Sequence, residues 1–182
     1  MRYHVAALLL EPVGSVRESL LDEPMPPLDA DVVAVAPVRG QVRLLRSGRG
    51  ILASATLATR VRLACSRCLG DTEEEITFSF DEEFRPTVDL VTGVPLPAPD
   101  ASEECSLIDE YHIIDLTDVV RQNALLALPM KPLCQKSCPG LCPVCGERRD
   151  GTCRCAEAEE PARAEGPMAE ALRTWLASQG NR

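Results

Sequence analysis

Apolar and polar residues alternate most regularly between Val32 and Phe84. Val38, Val42 and Leu44 alternate with Arg39, Gln41 and Arg43, the period of two that turns one strand face to a core and the other to water. Ser47-Gly48-Arg49-Gly50 then reads as a turn, because glycine takes positive φ freely. The next run places Leu57, Thr59, Val61 and Leu63 on one face, with Arg60 and Arg62 on the other. After Cys65–Gly70, a third run sets Ile76, Phe78 and Phe80 opposite Glu73, Glu75 and Thr77. Together these runs predict an antiparallel meander with one buried face.

The flanks are less regular. Residues 3–29 predict an extended or helical piece, a strand near Ser15–Leu21, and a loop around Pro24, Pro26 and Pro27. Residues 85–104 are proline-rich and acidic, with little to bury, and predict a mobile connector. A helix is expected over 115–128, where Leu116, Val119, Val120, Leu125 and Leu126 recur at helical spacing. Asp115 and Asp118 favour its N-terminal end, with Thr117 an alternative cap, and Pro129 stops it. The tail 156–182 is polar at first, then holds a candidate short helix with Met168, Leu172, Trp175 and Leu176. Packing is the simpler role for that apolar set.

The fold class expected is α+β: an antiparallel β-meander or partial barrel with one main helix, followed by a zinc-knuckle cysteine cluster. The domain reading is 1–133 for the β-rich part, 134–155 for a zinc-binding module, and 156–182 for the tail.

Composition tightens this picture. In 182 residues the apolar share is 45% but the aromatic share only 3%, so the core must be aliphatic and a metal cross-link would add to it. The net charge of -9 disfavours indiscriminate binding to nucleic acid or anionic membranes. No apolar run approaches the roughly 18–20 residues needed to span a bilayer. Val5–Leu10 is short for a signal-peptide core and is ended by Glu11-Pro12, so a cytoplasmic protein is expected.

In such a reducing compartment nine cysteines point to metal or redox chemistry rather than disulfides. Six of them, Cys134, Cys138, Cys142, Cys145, Cys153 and Cys155, crowd into one short stretch. Cys142-Pro-Val-Cys145-Gly146 has the form of a zinc knuckle, a tight turn aiming two thiolates at one ion, with Gly146 permitting the kink that follows. Cys65-Ser-Arg-Cys68, between two predicted strands, is a second pair with a weaker pattern. One partition gives a Cys142, Cys145, Cys153 and Cys155 site, and joins Cys65 and Cys68 to Cys134 and Cys138. A rival groups Cys134, Cys138, Cys142 and Cys145. Cys105 stands without a partner and is incidental. Neither pair opens a helix in a βαβ unit, which argues against thioredoxin-like chemistry.

Charge is segregated. Between Val32 and Gly70 there is no acid, while Arg39, Arg43, Arg46, Arg49, Arg60, Arg62 and Arg67 are present. From Asp71 to Asp118 the balance reverses, with Arg85 the only arginine or lysine. Strand parity puts Arg39 and Arg43 on one solvated side, and likewise Arg60 and Arg62, a row suited to RNA phosphates. The competing reading, slightly favoured, is that Glu73 and Glu75 pair with them across the sheet. Few aromatics are available to stack single-stranded bases. His4 and His112 fall in no catalytic motif, and no glycine-rich phosphate loop occurs, so no enzyme is expected.

An ordered set of segments resembles the bacterial YceD family, the large ribosomal RNA subunit accumulation proteins. They are Glu11–Ser15, Cys65–Leu69, Asp115-Leu116-Thr117, Leu128–Cys134 and Gly140–Gly146. The likeness runs from about Val5 to Cys155. It implies a role in accumulation or maturation of large-subunit ribosomal RNA, a genetic association with a small zinc-binding ribosomal protein, and a cytoplasmic location. The family's usual Asn-Leu-Asn after the knuckle is replaced here by Arg148-Arg149-Asp150. The expected function is a zinc-stabilised, non-enzymatic factor acting on ribosomal RNA or a ribosomal protein, with no membrane and no small-molecule substrate. The alternative is a module that uses the acidic 71–118 stretch to recruit a basic ribosomal partner without RNA contact.

Overall fold

The computed structural model describes residues 1–97, 105–149 and 155. The chain divides into two compact units, Met1–Lys136 and Ser137–Arg182. Residues 98–104 of the expected connector, Cys153, and the tail 156–182 with its candidate helix lie outside the described residues.

In the first unit the elements follow one another as β1 (Arg2–His4), α1 (Ala6–Leu10), β2 (Val16–Glu23), β3 (Val33–Ala34), β4 (Val38–Arg46), β5 (Ile51–Ala64), β6 (Asp71–Pro86), β7 (Ser106–Ile108), β8 (Ile113–Asp115) and α2 (Thr117–Leu126). The main sheet is open and runs β2-β4-β5-β6-β7, with β3 also pairing with β5. All these pairs are antiparallel except β6 with β7. A separate two-stranded sheet joins β1 to β8. This is the mostly antiparallel sheet with one main helix that the alternation predicts.

The alternation becomes burial. Val38, Val42 and Leu44 face inward from β4, as do Ile51, Leu57, Val61 and Leu63 from β5 and Ile76, Phe78, Phe80 and Phe84 from β6. Thr59 occupies an inward position and satisfies its hydroxyl by donating to the Ala36 carbonyl at 2.9 Å. Helix α2 lies against β6, burying Val119, Val120 and Ala124. Leu8 of α1 and Leu28 join the same core. Two arginines tie connecting segments to it. Arg46 donates to the carbonyls of Leu9 and Gly50, and Arg121 to those of Pro27 and Leu28.

Gly50 sits at the turn between β4 and β5, where an added Cβ would lie 2.0 Å from the Phe84 carbonyl oxygen. Only a residue without a side chain lets β5 and β6 close there. Strand β6 continues through Arg85 and Pro86, into the segment expected to be a connector. Beyond it Asp89 organises a turn, accepting from the Thr92 hydroxyl and from the N–H groups of Thr92 and Val91. Those bonds, the Thr92 hydroxyl foremost, hold the Asp89 carboxyl below its ordinary range.

Candidate metal centres

The longest hairpin, β5–β6, closes at the Ala64↔Asp71 pair and ends in Cys65–Gly70. The Cys65 N–H donates to the Gly70 carbonyl at 2.8 Å, and the Leu69 N–H to the Cys65 carbonyl at 2.9 Å. Leu69 takes a left-handed φ of 57° to make that bend. The chain following α2 docks on this tip through the Ser66 N–H, which donates to the Pro132 carbonyl at 2.8 Å. That contact carries Cys134 to the knuckle, with its Sγ 3.7 Å from the Cys68 Sγ. The sulfurs of Cys65, Cys68 and Cys134 all lie within 4.8 Å of one another. Backbone N–H groups of Cys134, Arg67 and Cys68 point at the Cys65 sulfur, and against the opposing effect of burial they lower its pKa to about 6. A thiolate is the form a metal binds.

The second unit repeats this local geometry. Its backbone turn spans Cys142–Glu147: the Cys142 N–H donates to the Glu147 carbonyl at 2.7 Å, and the Gly146 N–H to the Cys142 carbonyl at 2.9 Å. Gly146 supplies the left-handed residue with φ 74°, in the place Leu69 holds in the first knuckle. The bridge Leu141↔Arg148 flanks this turn in the same register as Ala64↔Asp71 flanks the other. The sulfurs of Cys142, Cys145 and Cys155 lie within 4.8 Å of one another.

These groups suit a thiophilic divalent ion. Metal–sulfur bonds of about 2.3 Å in a tetrahedron put the sulfurs about 3.8 Å apart. The 3.7 Å between Cys68 and Cys134 matches that edge. The two cysteine clusters are positioned like metal sites. Cys138 is buried, and Cys105 is in neither cluster.

Leu69 is a residue that sequence reasoning passed over, since leucine carries no signal for a left-handed turn. A β-carbon in that conformation costs roughly 1–2 kcal/mol, and glycine's greater unfolded freedom takes back part of the gain. Leu69→Gly, at an exposed side chain, is therefore expected to stabilise the protein by about 1 kcal/mol. A higher denaturant midpoint at unchanged slope checks this.

The arginine row is compensated. Arg39 pairs with Asp22 at 3.1 Å, Arg43 with Glu18 at 3.9 Å and Arg62 with Glu73 at 2.9 Å. Arg60 stands directly across from Glu75 in the β5–β6 register. Two of the carboxylates come from β2, a strand whose pairing with β4 could not be read from the sequence.

Fold and sites together define a class: an open, mostly antiparallel sheet whose main hairpin carries a thiol knuckle, with a second knuckle in the unit that follows. Within that class the chain belongs to the YceD family. Residues 53–169 match the family model described as large ribosomal RNA subunit accumulation protein YceD. The match begins inside β5 and takes in both knuckles. The chain is also similar to uncharacterized proteins of Mycobacterium tuberculosis and Mycobacterium bovis, at 30% identity over 109 residues, covering 58% of this chain and 48% of theirs. An uncharacterized protein of Mycobacterium leprae is 24% identical over 115 residues, covering 61% of this chain and 48% of its own. The chain thus spans about half the length of the curated relatives it matches. No solved structure gives a significant match. Among the described residues no helix is long and apolar enough to cross a membrane.

Proposed function

We propose that the chain is a zinc-stabilised, non-enzymatic factor that assists large-subunit ribosomal RNA accumulation or ribosome assembly in the cytoplasm. The repeated knuckle carries this reading. Two turns with the same hydrogen bonds, each gathering three thiols, are costly to hold without an ion between the sulfurs. Zinc is the ion of choice for all-thiolate tetrahedra. Cys65, Cys68 and Cys134 make the first set, with Cys138, four residues further along the chain, as its fourth ligand. Cys142, Cys145 and Cys155 make the second set, with Cys153 as the fourth. A closed set of four protein ligands leaves no open position for a substrate, the mark of a structural site. The ribosomal role rests on family membership.

The paired arginines favour the version in which the partner is a basic ribosomal protein and RNA is not touched. Arg39, Arg43 and Arg62 already face carboxylates, so each offers a phosphate less net attraction. Deleting the gene should lower the ratio of large- to small-subunit ribosomal RNA, and the intact chain should restore it. A chain with Cys65→Ser and Cys68→Ser should fail to do so. One with Arg39, Arg43, Arg60 and Arg62 changed to glutamine should succeed under the protein-partner version and fail under the RNA version. An unaltered ratio on deletion rejects the ribosomal role.

A further inference from the structure

Strand β2 is an edge of the main sheet, and its pairing shows which backbone groups it leaves over. In an antiparallel ladder alternate residues exchange hydrogen bonds with the neighbour, and those between point their N–H and C=O groups the other way. The Arg46 N–H donates to the Ser15 carbonyl at 2.8 Å, which makes Val16↔Leu45 a non-bonded pair. Arg17, Ser19, Leu21 and Glu23 therefore bond to β4, while Val16, Glu18, Leu20 and Asp22 direct their backbone groups outward. The other side of β4 agrees. The Ser47 N–H donates to the Gly50 carbonyl, so the odd-numbered residues of β4 bond β5 and the even-numbered ones bond β2. Among the described residues no backbone hydrogen bond reaches the outer side of β2.

The side chains of those same four residues share the solvated face. Leu20 stands at their centre, 85% exposed, flanked by Glu18 and Asp22, with Val16 also exposed. An edge with free ladder groups and an exposed leucine is the arrangement that proteins otherwise blunt, because it invites another strand. We propose that β2 is a docking edge for an extended, basic segment of a partner protein, which adds to the sheet as a further strand. Glu18 and Asp22 lie two residues either side of Leu20 on that one face, each meeting an arginine of β4 on its inner side. A segment with lysine or arginine four residues apart and an apolar residue midway therefore extends the row of alternating charge and meets carboxylate, leucine and carboxylate in turn. The chain's net charge of -9 works in the same direction. A second copy fits worse. The reciprocal register that sets Leu20 against Leu20 also sets Glu18 against Asp22, like charges directly opposed.

This deepens the protein-partner version of the proposed function by naming its surface, and it lies outside the residues matched by the family model. The test is amide hydrogen exchange on the full zinc-loaded chain with a Thr-Lys-Thr-Val-Thr-Lys-Thr peptide, whose lysines and valine share one strand face. In the free protein the amides of Val16, Glu18, Leu20 and Asp22 should exchange fast, and those of Arg17, Ser19, Leu21 and Glu23 slowly. Saturating peptide should slow the first four at least tenfold, and the same peptide with glutamate in place of lysine should not. Leu20→Lys, at an exposed position, should weaken binding at least tenfold. Leu20→Pro removes an outward N–H without touching the ladder to β4 and should do the same. Peptide that binds while the four outward amides stay fast overturns the edge, though a basic partner bound elsewhere survives. No binding at all removes both. Slowing of the four amides with chain concentration alone, without peptide, makes the occupant a second copy and overturns the proposal.

Discussion

Replacing Cys65 and Cys68 together by serine is expected to lower the thermal midpoint by roughly 10–20 °C, with the loss beginning at the hairpin tip. Structural zinc sites contribute apparent free energies of about 10–16 kcal/mol, and a pair of serines forfeits a large part of that. The sheet has a core of its own, so the unit should not collapse outright, and a loss on the order of 5 kcal/mol is the expected outcome. At this chain length each kcal/mol moves the midpoint by about 2–4 °C. The damage should also be local. Amides near Ala64 and Asp71, and the Ser66 N–H bound to Pro132, should lose protection from exchange before those of β2 and β4. Circular dichroism melts and residue-resolved exchange measure both. An unchanged midpoint would mean that the knuckle holds its shape through the protein alone.

Phe84→Ala should be the most damaging single change in the core, costing about 3–5 kcal/mol. All three phenylalanines of the chain lie on β6, and Phe84 is the most buried of them at 2% exposure. It stands opposite Ile51 on one side and Ser106 on the other, where β6 passes from its antiparallel to its parallel partner. Ile51 is fixed within the 14-residue strand β5 and cannot swing in to refill the space, so a cavity remains. Phe84→Leu, which keeps most of the volume, should cost clearly less. Urea unfolding of the two variants side by side measures the difference.

The parts of the fold visible in the sequence are those where one physical rule acts alone. Strands β4 to β6 each have one wet and one dry face, so period-two alternation locates them and gives the inward residues correctly. The short strands β1, β7 and β8, each of three residues, are too brief to show a period. Their pairing brings Arg2 beside Asp115 and Ser106 beside Phe84, contacts that exist only after the chain has folded. The helix was legible through Leu116, Val119 and Val120, but its start was not, because Asp115 belongs to β8 and serves Thr117 from there by accepting its N–H.

The cysteine sites divide in the same way. Cys142–Gly146 advertises its turn through glycine, whereas Cys65–Leu69 makes the same turn with a leucine held left-handed, so its pattern looks weaker than its geometry is. The approach of Cys134 depends on the Pro132 carbonyl meeting the hairpin tip, a long-range contact with no local signature. Strand parity makes Arg39 and Arg43 part of a solvated row, and the sequence offers Glu73 and Glu75 as partners for such a row. The acids that meet these two are Asp22 and Glu18, because register with β2 is set by side chains far away in the chain.

The most direct test is X-ray absorption at the zinc edge on freshly purified chain, together with the metal content per molecule. Two zinc ions per chain, each surrounded by four sulfurs at about 2.3 Å, is the result expected. A chain isolated without metal, or one whose zinc is bound mainly by nitrogen or oxygen, would contradict the assignment of these thiols as its ligands.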